Sequence, residues 1–412
     1  MEKNLRRVAI LGGTRIPFAR ANGAYNEIGN QQMLTGAMSA LVDRFQLRNQ
    51  KLGEVAAGAV IKHSRDWNLA RECTLGSGLH PETSAYDLQR ACGTSLSAVA
   101  QLANRIALGE IDSAIAGGAD SASDIPLTYG PKLQRAVLKL SRGRSFAEKL
   151  STLGSVRLAD LKPAHPGIAE PRTGMSMGEH QAITTERMGV TREDQDELTV
   201  ASHQGLAAAY ERGFFDDLVT PYLGLERDQN LRPDSSTDKL AKLKPVFGDT
   251  MTAANSTPLS DGAAVALMST DAWALQRGLP VLAHLTYSET AAVDYVHGEE
   301  GLLMAPVEAV PRMLDRAGLK LQDFDLYEIH EAFASQVLCT LKAWEANGLG
   351  AIDRSKLNVA GGSLAAGHPF AATGGRILNM LAKLLAEKGE GRGVISICAA
   401  GGQGVTAVLE RP

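Results

Sequence analysis

The sequence predicts a layered α/β fold with a duplicated core, because strand and helix patterns alternate along the chain. Residues 8–11 form a short apolar strand pattern that Gly12-Gly13 is expected to close. Residues 31–46 then carry apolar side chains at helical spacing along one face. Since this alternation continues through most of the chain, we expect sheets that are covered by helices.

Two stretches of the chain share one arrangement, and this likeness predicts the duplication. In the first, a turn at Cys92 leads into an Ala-rich helix and then into a strand that is expected to end before Gly117-Gly118. In the second, a turn at His368 leads into a helix over residues 373–387 and then into a strand that ends near Gly401-Gly402. We therefore expect two similar halves that face each other, each with a reactive side chain before a helix.

The stretch between these halves, residues 124–250, differs in composition and predicts a mainly helical insertion. In its first part, apolar residues and cations interleave at the spacing of one or two amphipathic helices. The cations are Lys132, Arg135, Lys139, Arg142, Arg144, Lys149, Arg157 and Lys162. This pattern is typical of a solvated helical face, and it also suits a surface for phosphate, anionic lipid or a partner protein.

The size and charge of the chain narrow the classes of function. With 412 residues, of which 44% are hydrophobic and 21% charged, the chain has room for two domains with a packed core. Its net charge of -4 and its isoelectric point of about 6.2 argue against nucleic-acid binding by the whole protein, which requires a basic footprint.

Cysteine usage and apolar run lengths predict the compartment. The cysteines at 73, 92, 339 and 398 form no C-x-x-C metal pair, and they are too few for a disulfide scaffold in so long a chain. The N-terminal apolar run is too short for a signal peptide, and no apolar stretch reaches the roughly 20 residues that span a bilayer. We therefore expect a cytosolic protein without a structural metal.

Cys92 is the first candidate for chemistry, since small residues and then a helix follow it. A cysteine at a helix N-terminus lies at the positive end of the helix dipole, so we expect a lowered thiol pKa. Gly93 would leave room for a substrate next to the backbone. The alternative is a buried and inert cysteine, because free cysteines are often buried.

His368 and Cys398 are further candidates, each beside glycines. His368 lies between Gly367 and Pro369, and a histidine in such a loop can take a thiol proton and return it. Cys398 ends an apolar strand and precedes a Gly-rich turn whose backbone N–H groups could bind an oxyanion. A structural histidine and an inert core cysteine are the alternatives.

Two other motifs lack the sequence context that their usual functions require. His330-Glu331 could begin a zinc-binding helix, but position 334 is Ala where a second His is needed. Ser176 lies in a G-x-S-x-G pattern, yet residues 169–173 do not read as the buried strand that a nucleophile elbow needs.

Several motifs, in order along nearly the whole chain, resemble those of the thiolase family. They are residues 89–98 around Cys92, residues 115–121, Met177-Gly178-Glu179, residues 255–264, Gly367-His368-Pro369 and residues 398–404. The resemblance implies a thiolase-like, duplicated αβαβα fold with a helical loop domain inserted over residues 124–250. It also implies an N-terminal half over residues 1–123 and 251–275 and a C-terminal half over residues 276–412.

The same resemblance implies a role for each motif residue. Cys92 would attack a thioester and hold the acyl group, His368 would activate Cys92, and Cys398 would move the α-proton of the second substrate. The backbone N–H groups of Cys92 and Ala400 would form one oxyanion hole, and His368 with a water held near His330 would form the other. The residues expected to line the site for substrate and coenzyme A (CoA) are Ser256, Thr257, Met177 and Gly401.

Two features are similar to one branch of the family, the β-subunit of the fatty-acid trifunctional complex. His330 stands where many thiolases carry Asn. A basic insertion like residues 130–160 contacts a membrane or the partner α-subunit in those relatives. The resemblance therefore implies thiolytic cleavage of 3-ketoacyl-CoA, or the reverse Claisen condensation, by a homodimer or homotetramer that uses CoA thioesters and no cofactor.

Three other functions stay open at this point. The first is an acetyl-CoA C-acetyltransferase that forms acetoacetyl-CoA. The second is a ketosynthase-like condensing enzyme fed by a carrier protein, which usually relies on two histidines and for which Cys398 is not expected. The third is a non-catalytic thiolase-like module that binds lipids or CoA, in which loss of a catalytic residue is expected.

Overall fold

A computed structural model describes residues 5–164, 167 and 169–412 of the chain. The strands are β1 (Val8–Arg15), β2 (Ala19–Arg20), β3 (Glu54–Gly58), β4 (Ala85–Asp87), β5 (Ser113–Asp120), β6 (Thr128–Tyr129), β7 (Pro163–Ala164), β8 (Pro245–Phe247), β9 (Met251–Thr252), β10 (Ser260–Ser269), β11 (Ala283–Ala292), β12 (Leu326–Ile329), β13 (Gly391–Ala399) and β14 (Gln403–Arg411). The α-helices are α1 (Asn30–Arg44), α2 (Leu69–Gly76), α3 (Thr94–Ala107), α4 (Pro131–Arg142), α5 (Phe146–Gly154), α6 (Met177–Arg187), α7 (Arg192–Glu211), α8 (Thr237–Leu240), α9 (Asp271–Gln276), α10 (Pro306–Ala317), α11 (Ala334–Ala346), α12 (Ser363–Ala366) and α13 (Thr373–Lys388).

The chain forms two compact units of very different size. One unit holds the chain up to Asp124 and from Ala169 onward, and the other spans Ile125–Ile168. The separate unit is shorter than the insertion predicted over residues 124–250, since α6 and α7 belong to the large unit. The division of the large unit into halves at residue 275 stays a prediction.

The large unit contains one mixed sheet whose strand order repeats a single pattern. The order is β12-β13-β14-β11-β1-β10-β5-β3-β4. On one side β3 lies parallel to β5, which pairs antiparallel with β10; on the other side β12 lies parallel to β13, which pairs antiparallel with β14. The two sets meet where β1 pairs antiparallel with β11. The predicted α/β fold with a duplicated core is thus confirmed.

Helices cover both sets of strands, and apolar clusters fill the spaces between them. Helix α1 buries the predicted stripe from Met33 to Val42, and it packs with β1, β3 and β10. Helices α3 and α13 share a central cluster that contains Leu102 and Leu381. On the far side, α10 and α11 pack with β12 around Trp344, which is fully buried. Burying a large apolar side chain of this kind contributes roughly 1.5–3 kcal/mol.

Two of the three glycine pairs do not end their strands, which corrects the sequence prediction, whereas β13 does end at Ala399, just before Gly401-Gly402. Strand β1 continues through Gly12-Gly13, and β5 continues through Gly117-Gly118 to Asp120. At Gly118 an added Cβ would lie 2.3 Å from the carbonyl oxygen of Ala371. The glycine is therefore needed because the segment after His368 lies directly against this strand.

The small unit, residues 125–168, contains helices α4 and α5 and the antiparallel pair β6–β7. Pro131 begins α4, where its missing N–H and fixed φ are tolerated, and the Ser145 side chain caps α5 by accepting from the Glu148 N–H. Within the described part of the chain, no helix combines the length and apolar character needed to cross a membrane.

Candidate active site

Cys92 lies in a tight turn between strand β4 and helix α3. The residue before it, Ala91, has a φ of 42°, which is uncommon for a residue with a side chain. Gly93 follows as the N-cap of α3, and a Cβ there would lie 2.8 Å from the Val405 side chain. The turn leaves Cys92 partly exposed, although its neighbours in α3 are buried.

His368 contacts Cys92 directly. The His368 Nε2 atom lies 3.1 Å from the Cys92 Sγ, and the His368 Nδ1 atom lies 2.6 Å from the Thr373 Oγ1. When the Nδ1–H donates to Thr373, the lone pair of Nε2 faces the thiol. In this tautomer His368 can accept the proton of Cys92, so the pair has the geometry of an activated nucleophile.

Burial keeps both members of this pair neutral. It raises the pKa of the Cys92 thiol to about 12, and the N–H groups of Ala400 and Cys92 oppose this only in part. Burial, aided by the charge of Arg376, lowers the pKa of His368 to about 3. The prediction that the helix dipole lowers the pKa of the Cys92 thiol is therefore wrong, since desolvation outweighs the dipole at this position.

Two anchors hold the His368 segment in place. The backbone N–H of His368 donates to the Ser260 Oγ at 3.2 Å. Three residues later, the Ala371 N–H donates to a carboxylate oxygen of Asp120 at 2.7 Å, and Asp120 also accepts from the N–H groups of Val60 and Ile61. Asp120 is fully buried at the end of β5, so it ties the His368 segment to the N-terminal set of strands.

Cys398 reaches the same region from the C-terminal set of strands. It lies next to the last residue of β13 and is 1% exposed, within an apolar cluster that includes Phe333 and Met177. Burial raises the pKa of Cys398 well above its usual value, and the nearby Cys92 adds to this effect. Two residues on, the backbone N–H of Ala400 lowers the pKa of the Cys92 thiol and partly opposes the effect of its burial. Strand β13 and the residue after it thus bring a thiol and a backbone donor near Cys92.

A buried carboxylate holds the loop that follows Cys398. Gly401 has a φ of 77°, and its N–H donates to the Glu170 Oε1 at 2.8 Å. The other oxygen of Glu170 accepts from the Tyr295 hydroxyl at 2.9 Å, and the Val293 N–H donates to the Gly402 carbonyl at 2.8 Å. The loop with the Ala400 N–H is therefore fixed from two directions.

His330 follows strand β12 and lies beside His368, with ring centroids 4.1 Å apart. It is fully buried, and its Nδ1 atom lies 2.9 Å from the Ser363 Oγ, which also accepts from the Arg376 Nη2 at 3.0 Å. Its Nε2 atom has no hydrogen-bond partner among the described residues. Burial and the charge of Arg376 lower the pKa of His330 well below its usual value, so the ring is neutral.

The residues expected to line the CoA site lie around this centre. Thr257 donates through its hydroxyl to the Ser363 carbonyl at 3.0 Å and through its N–H to the Ala332 carbonyl. Ser256 pairs with Phe333 and donates to the Thr252 carbonyl at 2.7 Å. These contacts tie residues 256 and 257 to the segment that bears His330. A role for Thr257, Ser256, Met177 and Gly401 in binding substrate stays a prediction.

Three of the predicted residues therefore come together from distant stretches of sequence. One donor atom each from Cys92, His330 and His368 lies within 4.8 Å of the others, a spacing that would also permit a metal ion. Ser176, by contrast, is the N-cap of α6 and forms a reciprocal capping box with Glu179, as its sequence context favours.

Sequence reasoning missed the residues that hold these groups in place. Asp120, Ser260, Ser363, Thr373 and Arg376 are all buried, and each bonds to a predicted residue or to its loop. For Thr373 a signal was present, since it is the one polar side chain among the small residues after Phe370 and before Arg376. The partners of the others lie too far away in sequence to be read from spacing.

Comparison with protein-family models gives two consecutive matches. Residues 8–272 match the model described as "Thiolase, N-terminal domain", and residues 279–411 match "Thiolase, C-terminal domain". The chain is 39% identical to proteins named 3-ketoacyl-CoA thiolase from Yersinia pestis and Yersinia pseudotuberculosis, over 98% of this chain and 97% of each relative.

Solved structures agree over the full length. An acetyl-CoA acetyltransferase from Bacillus anthracis superposes with a TM-score of 0.85 at 28% identity, covering 99% of this chain and 100% of that one. The human mitochondrial 3-ketoacyl-CoA thiolase superposes with a TM-score of 0.84 at 25% identity, covering 100% of both chains. Sequence, site and architecture lead to the same conclusion: this chain belongs to the thiolase family.

Proposed function

We propose that the protein is a 3-ketoacyl-CoA thiolase, which transfers an acyl group between a 3-ketoacyl chain and CoA through an acyl-Cys92 intermediate. The contact between the Cys92 sulfur and the His368 Nε2 atom carries this proposal. It is supported by the relatives named 3-ketoacyl-CoA thiolase, which align over almost the whole chain. A covalent thioester divides a difficult carbon–carbon cleavage into two easier steps.

In the first step Cys92 attacks the 3-keto carbon of the substrate while His368 takes the thiol proton. Because both groups start neutral, the proton moves as the carbon–sulfur bond forms, and no preformed thiolate is required. The N–H groups of Cys92 and Ala400 can then stabilise the oxyanion on the attacked carbon. Each such donor is typically worth about 3–4 kcal/mol.

In the second step the bond between C2 and C3 breaks and leaves an acetyl-CoA enolate. Cys398 is the proton donor in this proposal, because its high pKa keeps it protonated until charge develops on the substrate carbon. The proton that His368 took from Cys92 then passes to the Cys398 thiolate, so both groups return to their neutral forms. Free CoA attacks acyl-Cys92 while its thiol proton passes to His368, and His368 returns this proton to the Cys92 sulfur as the new acyl-CoA leaves. No step of this reaction is an oxidation or a reduction, so we propose that side chains and backbone donors suffice without a metal or redox cofactor.

The test is direct and separates the two halves of the reaction. Incubation with acetyl-CoA should add one acetyl group to Cys92, seen by mass spectrometry of the intact protein and of its peptides. Cleavage of acetoacetyl-CoA by added CoA should be visible as loss of enolate absorbance. A protein that forms no acyl adduct with acyl-CoA of any chain length would be a binding module instead.

A second enzymatic assignment, acetyl-CoA C-acetyltransferase, is supported by the likeness to the Bacillus anthracis acetyl-CoA acetyltransferase. The two assignments differ in the length of the acyl chain that is accepted. Comparing kcat/KM for a series of 3-ketoacyl-CoA substrates distinguishes them, since an acetyltransferase should prefer the four-carbon substrate. Carrier-protein thioesters in the same assay test the ketosynthase-like alternative.

We propose that the small unit, residues 125–168, provides a surface for anionic lipid. This unit contains eight Lys and Arg residues and two acidic residues, Glu148 and Asp160. The large apolar side chains are unusually exposed, with Phe146 at 81% and Leu158 at 89%. Apolar side chains beside cations are typical of helices that lie on a membrane surface.

Vesicle sedimentation tests this surface. The protein should sediment with phosphatidylserine vesicles and not with phosphatidylcholine vesicles, and Phe146→Glu should weaken this binding. Lack of binding to either type of vesicle would contradict the proposal and leave a partner subunit of fatty-acid oxidation as the alternative occupant. We also propose that the protein is a homodimer or a homotetramer. We further propose a reducing, cytosolic compartment, which the four unpaired cysteines support.

A further inference from the structure

We propose that Ser363 and Arg376 are positioning residues that fix His330 as a hydrogen-bond donor facing the reacting oxygen. This inference rests on the proposed thiolase reaction and assigns roles to two residues outside its acid–base set. The observation behind it is the His330 Nε2 atom, which is buried and lacks a partner among the described residues. A buried polar atom without a partner costs roughly 1–3 kcal/mol, so it requires an explanation.

The direction of each hydrogen bond follows from the chemistry of its donors. A guanidinium group can only donate, so Ser363 must accept at its Oγ from Arg376. The hydroxyl hydrogen of Ser363 then needs an acceptor, and in the described part of the chain its oxygen otherwise contacts only His330 Nδ1. If Ser363 donates to Nδ1, the single proton of the neutral ring lies on Nε2. The hydrogen bond from Arg376 to Ser363 and the one from Ser363 to His330 therefore set the tautomer of His330.

The position of the ring directs this donor to the site. His330 lies in the same cluster as Cys92 and His368, with its ring against that of His368. The acylation step already has its own donors, the N–H groups of Cys92 and Ala400. The His330 Nε2–H can therefore donate a hydrogen bond to the other oxygen of the substrate, directly or through one water. This is the thioester oxygen, which carries the negative charge when the enolate forms.

Among the described residues, no carboxylate lies at hydrogen-bonding distance from Arg376. Its guanidinium is 1% exposed and donates to Ser363 and to the Met380 sulfur. The nearby positive charge polarises the Ser363 hydroxyl and disfavours protonation of His330. A neutral imidazole can donate through Nε2 without competing with the imidazolium that forms on His368.

Ser363→Ala tests the role of Ser363 by splitting the two half-reactions. We expect kcat for acetoacetyl-CoA cleavage to fall by about 10- to 100-fold, because one oxyanion donor loses its orientation. Acetylation of Cys92 by acetyl-CoA should change less than about 3-fold. Ser335→Ala is the matched control, since Ser335 is also a buried serine and its hydroxyl has no partner among the described residues. This control should leave both rates unchanged.

A double-mutant cycle shows whether Ser363 acts through His330. In a His330→Ala background, Ser363→Ala should have no further effect on cleavage, and Arg376→Met should likewise be non-additive with Ser363→Ala. A full additional loss in the His330→Ala background would overturn the proposal. Equal losses in acetylation and cleavage for Ser363→Ala would also overturn it, because they indicate general damage to the fold.

Nitrogen NMR reads the tautomer of His330 in the wild-type protein and uses a variant only to assign the signal. With ¹⁵N-labelled histidine, the ring of His330 should carry its proton on Nε2 at neutral pH, and assignment uses the signal that is lost in His330→Ala. A proton on Nδ1 would overturn the proposal even if the Ser363 and Arg376 variants failed to fold. Failure of the wild-type protein to cleave any 3-ketoacyl-CoA would instead refute the proposed function.

Discussion

At the scale of single residues, the state of the Cys92–His368 pair decides how the reaction starts. The lowered pKa of His368, about 3, means that its proton is already lost well below neutral pH; the raised pKa of Cys92, about 12, means that its proton is retained far above it. Between about pH 5 and 9 we therefore expect no thiolate at Cys92.

The ultraviolet difference spectrum between wild type and Cys92→Ser measures this state. The three other cysteines are present in both proteins, so their signals cancel. The difference should lack the thiolate band and show no step across this pH range. A band at neutral pH would mean that a thiolate–imidazolium pair exists before substrate binds.

The second residue-scale prediction concerns Cys398. In Cys398→Ala, Cys92 should still be acetylated by acetyl-CoA, because His368 and the Ala400 N–H stay in place. Cleavage of acetoacetyl-CoA should fall by about 10²–10⁴-fold, which is the usual contribution of a general acid. Burst and steady-state kinetics measure the two steps separately. Acetylation and cleavage falling together would argue against this division of roles.

At the scale of elements, Asp120 at the end of β5 accepts from three backbone N–H groups, those of Val60 and Ile61 after β3 and that of Ala371 in the His368 segment. Asp120→Asn replaces one acceptor oxygen with an amide NH₂ that must face an N–H group. We expect a loss of about 1–3 kcal/mol in unfolding free energy and a lower kcat in the protein that remains folded. Asp87→Asn is the control, since Asp87 accepts from the N–H groups at the start of α2 and not from the His368 segment. Unchanged kcat in Asp120→Asn would show that the segment is held by other contacts.

Helices and loops could be predicted from the sequence where the pattern that indicates them lies within a few residues. The apolar stripe of α1 and the small-residue loops around Cys92 and His368 were readable because their periodicity or composition lies within a few residues. The glycine pairs at 12–13 and 117–118 were wrongly predicted to end their strands. Gly118 is a glycine because Ala371, more than 250 residues away in sequence, lies against it. Asp120, Ser363 and Arg376 could not be identified for the same reason: only the folded chain brings their partners to them.

At the scale of the whole molecule, a buried carboxyl group makes stability depend on pH. Glu328 on β12 is 2% exposed, and burial raises its pKa from 4.5 to about 8 against the opposing charge of Arg376. Between these values the folded state holds a proton that the unfolded state has lost. The free energy of unfolding therefore decreases as pH rises through this window, by up to about 1.4 kcal/mol per pH unit from this group.

Glu328→Gln removes this titration and should flatten that decrease. Urea unfolding of wild type and variant at pH 5 and pH 8 measures the effect, and we expect the variant to gain about 2–4 kcal/mol relative to wild type between the two values. Glu345→Gln on the exposed face of α11 removes the same charge at the surface and should leave the pH dependence of wild type unchanged. Parallel wild-type and Glu328→Gln curves would mean that Glu328 is ionised in the folded protein and that the positive charge of Arg376 compensates for its burial.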